Sequence, residues 1–319
     1  MTVPNDEPCL TIKGLIKDCG PVAGLDGKMI RVLAGVDFSA RRGAVTALLG
    51  ANGAGKTTTL ECAQGLQPIN GGEVMLLGQN PYGAGADLRS RVGVMLQDGG
   101  LPPSARPVPL LRHIASMYAD PRPVDELVAR LGIGSFANTN IRRLSGGQKQ
   151  RLAMAAALVG RPEVLFLDEP SAGLDPQSRQ IVFDLISELR ADGLGIILTT
   201  HLMDDAQKLA DYVYIIDAGK TVAQGTVAEL TAQTGELAEQ RLLTFDAVPG
   251  LDLAAAGLSH LGLTESAAGH YTLRGPITPA DIAALSAWWA RLDILPSSLH
   301  MASRTLEDVF LDLSGREIR

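Results

Sequence analysis

Short, almost wholly apolar runs alternate with longer stretches of helical spacing through the first two thirds of the chain. "VTALLG" (45–50), "EVMLLG" (73–78), "VGVML" (92–96), "VLFLD" (164–168), "GIILTT" (195–200) and "YVYIID" (212–217) read as strands. Apolar runs of this length suit strands that are buried inside a sheet. Between them, "KTTTLECAQGL", "QKQRLAMAAALVG" and "PQSRQIVFDLISELRADG" have helical composition, the second ended by Gly160 and the Arg161–Pro162 pair. Leu110 to Leu131 has helical spacing in two parts, "LLRHIASMYA" and "VDELVARLG". Pro102, Pro103, Pro107 and Pro109 predict a loop before it. Strands alternating with helices predict an α/β domain over residues 1–225.

The pattern changes after "GKTVAQGTVAEL". From about Thr231 the runs are shorter, with strands predicted at "RLLTFDAV" and "HYTLRG" and a helix at "PADIAALSAWWARL". Residues 226–319 are therefore expected to form a small α+β C-terminal domain. Near its end Leu306, Val309, Phe310 and Leu313 fall on one face of an amphipathic helix.

Composition narrows the class. The 319 residues are 46% hydrophobic and 20% charged, a globular balance. A net charge of −7 argues against nucleic acid as a partner. The three cysteines, Cys9, Cys19 and Cys62, lack metal-ligand spacing and suit a reducing compartment. No apolar run approaches the roughly 18 residues of a membrane span, and no signal-peptide core is visible. A soluble chain is expected, reaching any membrane through a partner.

"GANGAGKT" (50–57) matches the phosphate-loop pattern and lies between a predicted strand and a predicted helix. Gly50, Ala51, Asn52, Gly53, Ala54 and Gly55 would turn backbone N–H groups toward phosphate, with Thr58 continuing the wall. Lys56 would add a point charge at the β- and γ-phosphates, and Thr57 a hydroxyl for Mg²⁺. "VLFLDEP" ends a strand in two carboxylates. Alone such a pair is more often a helix cap or a solvated turn. Downstream of a phosphate loop, Asp168 is expected to hold Mg²⁺, directly or through water, and Glu169 to polarise attacking water. Gln97, closing "VGVMLQ", would reach the metal or the water. His201, closing "GIILTTH", would contact the γ-phosphate beside Glu169. A second glycine pair, in "LSGGQKQR" (144–151), follows a serine at a predicted helix start, where free N–H groups and the helix dipole favour an anion.

Phosphate loop, Gln97, "LSGGQ", "LFLDEP", "SAGLD" and His201, in that order, resemble the nucleotide-binding domain of ATP-binding cassette (ABC) proteins over about residues 10–225. The resemblance implies a P-loop NTPase fold with a helical subdomain, and ATP and Mg²⁺ as cofactors. It also implies a head-to-tail pair of cassettes, here expected to be a homodimer because every motif is intact. Ser145, Gly146 and Gly147, with Gln148 beside them, would then cap the γ-phosphate held by the partner's loop. Asp175 of "SAGLD" would link the two sites.

The closing "RTLEDVFLDLSGREIR" resembles that of ATPase subunits of ABC-2-type exporters, including daunorubicin/doxorubicin-resistance proteins. This implies a separate transmembrane permease of ABC-2 type, docked on residues 98–143 at the cytoplasmic side of the cell membrane. The cargo would be an antibiotic, lipid or other amphipathic compound. A soluble ABC ATPase of assembly or regulation is the alternative, which a neighbouring permease gene would decide against. One departure stands out. The family stacks an aromatic ring on adenine after its first strand, but "IKDCGPVAGLDGKMIRV" (16–32) is read as a ringless loop. Phe38, the only aromatic residue in the first fifty, falls in a predicted core strand, leaving Met29 or Ile30 to cover the base.

Overall fold

The computed structural model describes residues 8–20, 29–95, 100–232, 241–302 and 305–314. Met1–Val227 with Leu313–Arg319 make one compact unit, and Ala228–Asp312 another.

The first unit opens with β1 (Pro8–Cys19) and β2 (Ile30–Arg41), an antiparallel pair, and continues into β3 (Val45–Leu49). β3 feeds α1 (Lys56–Ala63), and β4 (Gly71–Leu76) returns to pair with β1 in a sheet of order β2-β1-β4. After α2 (Ala86–Ser90) and β5 (Val92–Met95) comes the helical stretch of α3 (Pro107–Ala115), α4 (Val124–Arg130) and α5 (Gly146–Leu158). β6 (Val164–Asp168), α6 (Pro176–Ala191), β7 (Gly195–Thr199), α7 (Met203–Leu209) and β8 (Tyr212–Asp217) resume the alternation. β9 (Lys220–Gly225) turns back antiparallel to β8, and α8 (Val227–Thr231) follows.

The larger sheet has the order β5-β6-β7-β3-β8-β9, parallel from β5 through β8. Every residue of β3, β6 and β7 is buried, which is why their sequences are continuously apolar rather than alternating. Because β7 lies between β6 and β3, the loops leaving the C-terminal ends of these strands meet at one edge. Ligands of open parallel sheets bind there.

Two expectations are corrected. α3 begins at Pro107, so Pro107 and Pro109 lie in its first turn and not in the loop before it. First-turn N–H groups have no helical acceptor, so proline costs no hydrogen bond there, and its fixed φ suits the start. The stretch 16–32, read as a loop, is strand as far as Cys19 and again from Ile30, with these two residues paired. Its polar residues find a partner strand, which local composition does not reveal.

In the second unit, β10 (Arg241–Asp246), β11 (Gly262–Ala267), β12 (His270–Gly275) and β13 (Ser298–Ala302) form an antiparallel sheet of order β11-β12-β10-β13. α9 (Pro279–Arg291) shares a core with the sheet: Leu243, Phe245, Tyr271 and Leu273 cluster with Leu285, Trp288 and Trp289. Phe245 stacks on Tyr271 at 4.9 Å and meets Trp289 edge-on at 4.9 Å. β11 and β13 are short edge strands that escaped the sequence reading: β11 alternates weakly, and Leu299 and Met301 of β13 share one face but stay 49% exposed each. In α10 (Leu306–Ser314), Leu306, Val309 and Phe310 are buried while Leu313 is 46% exposed.

One carboxylate ties the start of three strands. Glu163, just before β6, accepts from Arg42, before β3, and from Arg91, before β5. The Arg91 hydrogen bonds, aided by Arg42, hold its carboxyl down to about 2. A folded-state value below the unfolded one contributes stability that is fully present above the unfolded value and is lost as pH falls from there through the folded value. Glu163→Gln is therefore expected to be less stable than the wild type at pH 7, with the gap closing as pH falls from about 4.5 to about 2. Urea denaturation across that range checks this; a constant gap would contradict it.

Candidate nucleotide site

β3 ends at Leu49, and the chain reaches α1 through a loop whose shape depends on glycine. A Cβ on Gly50 would lie 2.5 Å from the Ile216 carbonyl oxygen of β8. Gly55, at φ 105, caps α1 in the left-handed region, and a Cβ there would strike the Leu33 side chain at 2.5 Å. The loop thus threads between β8 and β2 with no room for side chains at those points. Lys56 folds back over it, donating to the Gly50 and Ala51 carbonyls at 2.8 and 3.3 Å. Burial pushes the Lys56 ammonium's pKa down, against the opposing pull of Glu169 and Asp168.

A cavity of about 410 Å³ opens above the loop. Asn52, Gly53, Gly55, Lys56, Thr57 and Thr58 form one wall, with Asp168, Glu169 and His201 opposite and Val32 of β2 at the side. Ala54 is buried beneath the loop, and its N–H donates to Ala51 at 3.1 Å. The structure therefore brings the phosphate-type loop, the acidic pair and His201 into one space. Gln97 lies outside the described residues.

The acidic pair is held by β7. Asp168 accepts from the Thr199 hydroxyl, and the Glu169 N–H continues the ladder to the Thr199 carbonyl at 3.1 Å. Glu169 is 5% exposed and sits at φ 51, left-handed backbone that is costly for a non-glycine residue. His201 Nδ1 lies 2.9 Å from Glu169 Oε2, but off the hydrogen-bonding direction, so that buried oxygen has no aligned donor. An acceptor so placed can receive a proton from water in the cavity.

The serine–glycine run lies elsewhere. Ser145 caps α5 in a capping box: its hydroxyl accepts from the Gln148 N–H at 3.3 Å, and Gln148 Oε1 accepts from the Ser145 N–H at 3.0 Å. A Cβ on Gly147 would meet Leu174 at 3.2 Å, whereas Gly146 faces open space. None of these residues lines the cavity. Asp175 caps α6, accepting from the Ser178 N–H and hydroxyl at 2.9 and 2.7 Å. The Ser178 N–H, with its hydroxyl second, holds the Asp175 carboxyl below the usual range.

Sequence reading missed Thr199, Val32 and Gln150. Thr199 was visible as a hydroxyl in an apolar strand. Val32 carried no signal, because only the β1–β2 pairing brings it to the loop. Phe38 is 3% exposed and packs at 4.7 Å on Tyr214, so it is a core ring and not a base platform. Met29 and Ile30, 55% and 41% exposed, stand on the β2 approach to Val32.

Fold and cavity together define a P-loop nucleoside triphosphatase. The family model described as ABC transporter matches residues 33–172. A Nod factor export ATP-binding protein of Ralstonia nicotianae is 33% identical over 98% of this chain and 95% of its own length. A daunorubicin resistance ATP-binding protein of Streptomyces coeruleorubidus is 32% identical over 98% of each. A fluoroquinolones export ATP-binding protein of Mycobacterium tuberculosis is 32% identical over 89% of this chain and 88% of its own. Among solved structures, an ATP-binding subunit of an ABC transporter aligns with TM-score 0.62 and 26% identity, covering 70% of this chain and 91% of that one. The chain belongs to the ABC transporter family as an ATP-binding, ATP-hydrolysing subunit. Such subunits dimerise and work with a membrane permease. Among the described residues no helix is long and apolar enough to cross a membrane.

Among the described residues no aromatic ring lines the cavity, so nucleotide choice is expected to be shallow. Base stacking on a ring is worth roughly 1–3 kcal/mol in nucleic-acid binders, whereas phosphate contacts are common to all nucleotides. GTP should compete with ATP within about tenfold, or about 1.4 kcal/mol. Competition binding on the purified protein checks this, and an ATP preference of several hundredfold would refute it.

Proposed function

We propose that this chain powers an ABC-2-type exporter, driving an antibiotic, lipid or other amphipathic compound through a separate permease at the cytoplasmic face of the membrane. The relatives' printed names support this reading, since they describe Nod factor export, daunorubicin resistance and fluoroquinolone export. The near-complete overlap with the first two includes the small C-terminal unit. No observation favours a soluble assembly or regulatory ATPase over it. The helical stretch between Gln97 and Leu144 is the proposed permease-facing surface.

Glu169 is the proposed general base. One observation carries this: a buried carboxylate with an unaligned oxygen shares a cavity with Lys56 and His201. Lys56 would hold the β- and γ-phosphates with the loop N–H groups, and His201 would support the γ-phosphate and the attacking water. Thr57 and Asp168 offer a hard, oxygen-only donor set that suits Mg²⁺. No group of three or more His, Cys, Asp or Glu able to hold a metal occurs among the described residues, so the remaining positions would fall to phosphate and water. The ion would supply charge neutralisation at the phosphates. Glu169→Gln preserves shape but removes the base. Turnover should fall about 10²–10⁴-fold with ATP binding retained; near-normal turnover would eliminate Glu169.

The active form is proposed to be a homodimer in which Ser145, Gly146 and Gly147 complete the partner's site, with Asp175 between the two sites. The open space at Gly146 and its place at the N-terminus of α5 support an anion arriving there. Ser145→Arg alone should abolish hydrolysis while ATP still binds. Mixed with Lys56→Ala chains, both lesions fall in one composite site of the heterodimer and the other site stays intact. Partial return of activity is expected in the mixture. Its absence, with heterodimers shown to form, would rule out shared sites.

A further inference from the structure

We infer that Gln150 is a positioning residue for Glu169, holding the base's strained backbone from the helix that carries the serine–glycine run. Gln150 is 9% exposed on α5, and its Nε2 donates to the Glu169 carbonyl at 2.8 Å across 19 residues of chain. A buried glutamine among apolar neighbours needs a partner, and this one reaches the backbone of the base itself.

That backbone needs holding. Glu169 is at φ 51 and is followed by Pro170, whose ring further restricts the residue before it. Its N–H is taken by the Thr199 carbonyl, and its carbonyl also accepts from the Ala172 N–H at 3.2 Å. Both are main-chain bonds of the local turn and of β7. Gln150 supplies the side-chain bond, and it comes from another element. Rotation of the Glu169 peptide would swing the carboxylate away from His201 and the loop, and the Gln150 amide resists that rotation.

The position along α5 adds meaning. Gln150 stands one turn beyond Gly146, on the same side of the helix. Gly147, between them, abuts Leu174 and Ser178 in the segment that follows the acidic pair. One short, rigid helix therefore joins the anion-receptive end to the peptide of the base.

The inference rests on Glu169 being the base, so the test separates the two. Gln150→Met keeps length and bulk and removes the donor; Gln150→Glu keeps the shape and replaces the donor with a charged acceptor. Steady-state turnover and ATP affinity, by fluorescent-nucleotide displacement, are measured for both and for Glu169→Gln. Gln150→Met should lower kcat at least tenfold with the ATP Kd within twofold of wild type, and Gln150→Glu should lower kcat further. Placed in the Glu169→Gln chain, Gln150→Met should cause no additional loss, as expected for residues acting as a unit. Wild-type kcat in Gln150→Met would overturn the inference, as would equal loss of turnover and binding, which marks a merely structural role. Retained turnover in Glu169→Gln would overturn the base assignment instead.

Discussion

The parallel pairing of β6 with β7, and of β7 with β3, is the constraint on which the rest depends. It places Asp168 opposite Thr199 and stops the ladder one residue later, at Glu169. The phosphate-type loop leaves β3 at the same edge. Three loops distant in sequence thus open into one cavity because their strands are adjacent and point the same way. Every residue of these strands is buried, so a one-residue slip would turn each side chain to the opposite face and into packing shaped for a different one.

Around this edge the backbone runs tight or takes unusual conformations. Gly50 lies on the β8 main chain, Gly55 on Leu33, and Glu169 takes a left-handed φ that only surrounding hydrogen bonds can hold. A phosphate cradle needs N–H groups converging on one point, and converging N–H groups require backbone that regular structure does not provide. Leu77, Arg161, Ala218 and Asp293 also take positive φ elsewhere in the chain, but of these non-glycine residues only Glu169 lines the cavity.

The two glycine runs solve different problems with the same material. In the phosphate-type loop β8 and β2 leave no room for a Cβ on Gly50 and Gly55, while Gly53 has space but a φ of +83. At the start of α5, Gly147 is tight against Leu174 while Gly146 faces open space. There the cap is satisfied, Ser145 and Gln148 answering each other, and none of these residues lines the cavity.

By itself the sequence determined the strand–helix alternation, the phosphate-type loop between β3 and α1, and the acidic pair closing β6. These are legible because they are local: an apolar run, a glycine spacing and a terminal carboxylate pair each lie within a few residues. The edge strands β11 and β13 and the extension of β1 to Cys19 were not legible, since their polar residues become strand only by pairing with a distant partner. Pro107 and Pro109 were misplaced because a proline forbidden inside a helix is welcome in its first turn, and the boundary depends on packing. Tertiary structure alone decided that Phe38 spends its ring on Tyr214, that Val32 walls the cavity, and that Gln150 reaches the Glu169 carbonyl. Each of those is a contact between elements far apart in the chain, fixed by sheet order and helix packing, and no local pattern encodes it.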